Sequence, residues 1–93
     1  MKVIWSADAI KDILQIRKYI GHDNVSAAKI VATTIIHSTE NQLEMFPLSG
    51  RNGLLIGTHE LVIPKLPYIV VYQVNSFGIN ILRVYHTSRL WPE

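Results

Sequence analysis

The chain has 93 residues, 48% apolar and 17% charged, with a net charge of +2. That length and balance define one domain, residues 1–93, with enough apolar side chains for a core, and exclude a disordered chain. It has no cysteine, which excludes a disulfide framework and thiolate chemistry. No apolar run matches a signal peptide or a membrane span, so the expected setting is the cytoplasm, with no membrane partner.

Lys2 to Trp5, with Val3 and Ile4, reads as a short first strand. Ser6 then stands where a helix cap belongs, and Asp8 falls in the first turn, where the helix dipole favours a carboxylate. Ile10, Ile13, Leu14, Arg17 and Ile20 recur at spacings of three and four, giving an amphipathic helix that stops at Gly21. After a turn over 22–26, a second helix starts near Asn24 or Ser26. Its stripe is Ala28, Val31, Ala32, Ile35, Thr39, Leu43 and Phe46, and Pro47 ends it. A short turn between two amphipathic helices implies an antiparallel hairpin. Neither helix carries a basic stripe, so neither is a groove-reading helix.

Residues 47–53 read as a loop in which Gly50 and Gly53 bracket Arg51 and Asn52. Three β-like runs follow. Leu54 to Ile63 alternates through His59, Leu61 and Ile63, with a break at Gly57; Tyr68 to Val74 is continuous enough to be a central strand; Ile79 to His86 is the last. Pro64 and Pro67 interrupt the ladder between the first two, and 75–78 is a hairpin connection between the second and third. The resulting order, β-α-α-β-β-β, is an α+β pattern: a small antiparallel sheet packed on one face by an N-terminal helical hairpin. The other face is expected to be the working face. In a regular last strand Ile79, Ile81, Arg83 and Tyr85 point one way, and Asn80, Leu82, Val84 and His86 the other.

Charge is unevenly placed. The charges of residues 1–46 cancel, whereas Arg51, Lys65, Arg83 and Arg89 outweigh Glu60 and Glu93 in the second half. A cationic half points to an anionic partner, nucleic acid or an acidic protein segment, but four cations are too few for strong nonspecific DNA binding.

An ordered set of short motifs runs through nearly the whole chain. It consists of Trp5-x-Ala7, Tyr19-Ile20, Ala27-Ala28, Leu43-x-x-x-Pro47-x-x-Gly50-Arg51, Gly57-x-x-Glu60-Leu61, Pro67-Tyr68-Ile69-Val70-Val71-Tyr72 and Ile81-Leu82-Arg83-Val84-x-His86-x-x-Arg89-x-Trp91-Pro92. Together these resemble the RelE/ParE superfamily, the toxins of type II toxin–antitoxin modules that serve in plasmid stabilisation and growth inhibition. The resemblance implies the fold derived above and a cognate antitoxin protein as partner. It also implies one of two actions: trapping of DNA gyrase by ParE-like members, or ribosome-dependent cleavage of mRNA by RelE-like members. A third reading is a harmless relative that only binds antitoxin.

Metal-independent RNA cleavage needs a base, an acid and cations to hold the phosphate. The candidate catalytic set is Arg51, Arg83 and His86, with Tyr85 and Lys65 secondary; Arg51, Lys65, Arg83 and Arg89 are the candidates for contacting a target or nucleic acid. The imidazole of His86 has the intrinsic pKa for either proton-transfer role. His59 stands before the Glu-Leu pair where many family members carry Arg, which removes a planar phosphate fork. That substitution and the near-neutral charge favour the gyrase-binding reading. The plainer expectations are that Arg51 holds a nearby carbonyl or carboxylate, that Arg83 pairs with Glu60 across the ladder, that Lys65 is solvated, that Trp91 folds back on the sheet, and that His22 and His37 lie on the surface. No metal-ligand spacing is present, so no metal, cofactor or small-molecule ligand is expected.

Overall fold

The computed structural model describes residues 1–89. Trp91, and with it the expected C-terminal anchor, lies outside them. The chain runs β1 (Val3–Trp5), α1 (Ala7–Gly21), α2 (Val25–Met45), β2 (Arg51–Asn52), β3 (His59–Val62), β4 (Tyr68–Asn75) and β5 (Gly78–His86).

Both helices begin on the side chains that the sequence marks. Ser6 Oγ accepts from Ala9 N at 3.0 Å, and Asn24 Oδ1 accepts from Ala27 N at 2.9 Å. Each cap satisfies a backbone donor that has no partner within the helix. Asp8 lies in the first turn of α1 and Lys18 in its last, both favourable to the dipole. On α2 the expected stripe is buried at Ala28, Ala32, Ile35, Thr39 and Leu43, while Phe46, which caps the helix, is exposed. On α1 the stripe is rotated from the expected one. Ala9, Asp12 and Ile13 are buried, whereas Ile10 and Leu14 are 49% and 59% exposed. The rotation brings a carboxylate inward, and its partner is described below.

The sheet order is β1-β5-β4-β3-β2. The last three strands form the expected antiparallel meander, and the expected loop at 47–53 instead adds a two-residue strand, β2, antiparallel to β3. β1 joins as a fifth strand beside β5, parallel to it, with Val3 opposite Ile79 and Trp5 opposite Ile81. The helical hairpin is the crossover that a parallel pairing requires. β4 is central and its first five residues are buried, as its unbroken apolar run implies.

Regular alternation fails in β5. The register steps between Val71, opposite Arg83, and Tyr72, opposite Ile81, so Leu82 is an extra residue on the β5 side. The bulge puts Val84 on the same face as Ile79 and Ile81, inside the core that also holds Tyr68, Val70, Tyr72, Ile35 and Leu43. His86, opposite Tyr68, follows Val84 onto that face, and Arg83 and Tyr85 turn to the other.

Candidate functional site

The face of the sheet opposite the helical hairpin, open at its margin but buried over β4, carries a row of directly paired positions: Arg51 opposite Glu60, Glu60 opposite Val71, Val71 opposite Arg83. Residues paired in this way share a face. Arg51 comes from β2, whose position is set by Tyr72: the phenol oxygen accepts from Gly50 N at 2.8 Å. A Cβ on Gly50 would meet that oxygen at 2.6 Å and Glu60 O at 2.8 Å, so only glycine lets the backbone pass there.

Each arginine of the row has its own carboxylate. Arg51 donates from Nε to Glu60 Oε1 at 3.0 Å, and its Nη2 lies 3.0 Å from the same oxygen. Glu60 is buried, while the Arg51 side chain stays 59% exposed. Arg51 thus holds a carboxylate, as expected, but from a strand. Arg83 departs from expectation. Its partner is Asp12 of α1, with Nε to Oδ2 at 2.8 Å and Nη2 to Oδ1 at 3.0 Å. Val84 N adds a third donor to Asp12 Oδ2 at 2.8 Å. Two strand spacings, roughly 10 Å, separate the Arg83 and Glu60 positions, and Arg51 stands next to Glu60.

Asp12 also has an architectural role. β1 stops at Trp5, opposite Ile81, and beyond it Ser6 N donates to Ile81 O and Ser6 Oγ to Leu82 O. Asp12 takes the next open backbone donor of β5, that of Val84. Sequence reading missed Asp12. The available signal was a carboxylate at a position that the buried stripe would claim once Ala9 and Ile13 are placed inward.

Tyr85 lies on the same face, near this row. Burial raises its pKa above the ordinary value, the Glu60 charge raises it further, and Arg51 lowers it. His86 is elsewhere. Its ring packs edge-on against buried Tyr68, with centroids 5.5 Å apart. Its Nδ1 accepts from Ser88 N at 3.1 Å, with Ser88 Oγ at 2.8 Å. The sheet therefore stands between His86 and the arginine row. Three strand spacings and three residues also separate Arg51 from His86, roughly 17 Å between backbones. Lys65 is an exposed residue of the β3–β4 turn, at φ 65°, and Arg89 is exposed after β5. His22 and His37 are on the surface. His59 stacks on Tyr72 at 5.3 Å and is half-buried.

Structure thus brings Arg51, Arg83 and Tyr85 to one face and places His86 on the other, while Lys65 lies in the β3–β4 turn and Arg89 follows β5. Within each guanidinium–carboxylate pair the two charges compensate locally. Among the described residues no three His, Cys, Asp or Glu side chains converge as a metal site requires, and no helix is long and apolar enough to cross a membrane.

A helical hairpin on one face of a five-stranded mixed sheet is a fold that this chain shares with a type II toxin–antitoxin system. The chain belongs to the ParE toxin family of the type II parDE system, whose family model matches residues 3–91. It is 34% identical over 93 residues to the putative toxin Y4kP of Sinorhizobium fredii, covering 99% of this chain and 94% of that one. It is 30% identical over 89 residues to the toxin RelE2 of Caulobacter vibrioides, covering 96% and 98%. Its fold matches a chain of the chromosomal ParDE TA system from P. aeruginosa with a TM-score of 0.82 at 21% identity, covering 92% of this chain and 95% of that one. Membership of a ParDE-type toxin family implies an antitoxin as partner.

Proposed function

We propose that this toxin acts in the cytoplasm by binding a protein target, DNA gyrase, and cuts no RNA. The observation that carries this reading is the dispersal of the candidate nuclease set. Arg51 and Arg83 are each engaged by a carboxylate, and His86 faces the opposite side of the sheet. Phosphate transfer needs cations and a proton carrier within about 3 Å of one reacting centre. A surface of neutralised ion pairs suits recognition of a protein better than stabilisation of a developing anion.

The cognate antitoxin neutralises the toxin by covering its exposed apolar side chains. Ile10 and Leu14 lie one helical turn apart on α1 and are both exposed, which suits an added amphipathic helix. Acidic residues on that segment would complement the cationic second half of the chain.

The test uses purified toxin, gyrase and supercoiled plasmid. Trapped, cleaved plasmid and loss of supercoiling are expected, with His86→Ala as potent as the parent. Unaffected gyrase, together with transcripts cut in a translating extract and protected in His86→Ala, would establish the mRNA interferase instead. No effect in either assay and no growth defect on expression would leave a protein that only binds antitoxin.

A further inference from the structure

One end of the molecule is built from exposed apolar side chains. The turn from α2 into β2, the start of the chain and the far end of β4 enclose a groove of about 550 Å³ lined by Met1, Met45, Phe46, Leu48 and Val74. Phe46 and Leu48 are 56% and 68% exposed. No ionisable side chain lines the groove.

Beside the groove stands a projection. Val74 is one residue from the β4–β5 turn, and that turn presents Phe77 at 84% exposure. The turn is held rigid. Asn75 Oδ1 accepts from Phe77 N at 2.8 Å and from Gly78 N at 3.2 Å. Gly78, at φ 147°, lies so close to Lys2 O that an added Cβ would fall 2.5 Å from it. A large aromatic fixed on a rigid turn loses little conformational freedom when it is buried, which is the property of an interface anchor. Ile56, fully exposed, lies in the loop before Gly57, whose Cβ position is 3.8 Å from Gln73 Nε2 at the same end of β4.

We propose that this end is a self-association surface: two copies of the chain pair about a two-fold axis, with Phe77 of each seated in the groove of the other. Three observations select a second copy as occupant. A projection and a groove adjoin on one patch, so the patch is complementary to itself, as a two-fold interface must be. The side chains that line the groove are uncharged, so, the Met1 ammonium apart, they meet their own copy without charge repulsion. Met1, Met45, Phe46, Leu48, Ile56 and Phe77 are all more than half exposed. At ~100 Å² of apolar side chain each they supply on the order of 600 Å², most of the ~800 Å² that each partner brings to a standard interface.

The absence of native cysteine gives a direct test. The purified full chain is examined by sedimentation equilibrium, alongside Phe77→Asp, Leu48→Glu and a mixture of Phe77→Cys with Leu48→Cys chains. The parent is expected to dimerise. Each charge substitution should raise the dissociation constant at least ~10-fold with unchanged far-ultraviolet circular dichroism, and the mixed cysteine chains, with oxidised glutathione added as oxidant, should form a disulfide-linked heterodimer. A parent that stays monomeric at several hundred micromolar overturns the proposal. So does a dimer that persists in both charge variants, which would place the interface elsewhere. A monomeric parent whose Phe77→Asp variant fails to bind antitoxin would assign this end to the antitoxin.

Discussion

Asp12 and Arg83, separated by 71 positions in sequence, meet in a two-pronged ion pair of 2.8 and 3.0 Å. The same carboxylate accepts from Val84 N, so one side chain of α1 both orients the arginine and closes the free edge of β5. Asp12→Ala removes the carboxylate that accepts from Arg83 Nε and Nη2 and from Val84 N. Removing one partner of a buried pair costs about 3–5 kcal/mol. The Arg83 side chain is 42% exposed and can recover water, so the expected loss is about 2–3 kcal/mol. In a chain of this size that lowers the melting temperature by roughly 10 °C or more. Asp12→Asn should lose less, because its amide oxygen still accepts from Val84 N. Thermal melts of both variants check the order, and equal losses would show that charge alone matters.

Tyr72→Phe removes the acceptor of Gly50 N and keeps the ring that stacks on His59. A lost hydrogen bond at a half-buried amide costs about 1–1.5 kcal/mol. The consequence should concentrate locally, because that bond pins the segment that places Arg51 beside Glu60. Amide hydrogen exchange at Gly50 and Arg51 is expected to quicken by more than that at β4. Uniform quickening across the sheet would show a global effect only.

The elements themselves were legible because their signals are local. Ser6 and Asn24 announce helix starts, Pro47 announces an end, and the unbroken apolar run from Tyr68 announces a strand buried on both faces. What could not be read depended on one residue or on distant pairing. The extra residue at Leu82 leaves no mark in composition, yet it decides which face receives Arg83 and which receives His86. The parallel β1–β5 contact and the Asp12–Arg83 pair join the two ends of the chain, and no spacing rule reaches that far. The contacts of the arginines divide the same way: Arg51 was legible as a carboxylate holder, while the pairing of Arg83 with Asp12 needed the rotation of α1 to be understood.

Stability should fall on the alkaline side. Burial raises the phenol pKa values of Tyr68, Tyr72 and Tyr85 above the ordinary 10.0, with the Tyr19 phenol adding to the effect on Tyr68, Glu60 adding to that on Tyr85, and the Gly50 N–H offsetting part of it on Tyr72. The native state holds these protons at a pH where the unfolded chain has released them. Their contribution is complete below about pH 10 and is lost as pH rises from there through the raised native values. Urea midpoints measured from about pH 8 upward are expected to be flat at first with respect to these groups and then to decline above about pH 10. Tyr85→Phe should make the decline shallower. An unchanged slope in that variant would remove Tyr85 from the set.

Thr39 offers a substitution expected to stabilise. It lies on the buried stripe of α2 between Ile35 and Leu43, fully buried, and its Oγ1 has no hydrogen-bond partner among the described residues. A buried hydroxyl without a partner carries its desolvation cost uncompensated, about 1–3 kcal/mol. Thr39→Val keeps the branched shape and replaces the hydroxyl with a methyl group, and valine costs a helix no more than threonine does. Stability should rise by about 1 kcal/mol, which in a chain of this size raises the melting temperature by roughly 4–8 °C. A thermal melt decides it. A lower melting temperature would show that the hydroxyl bonds a backbone carbonyl of its own helix, the usual alternative for a mid-helix threonine, and that the core relies on that bond.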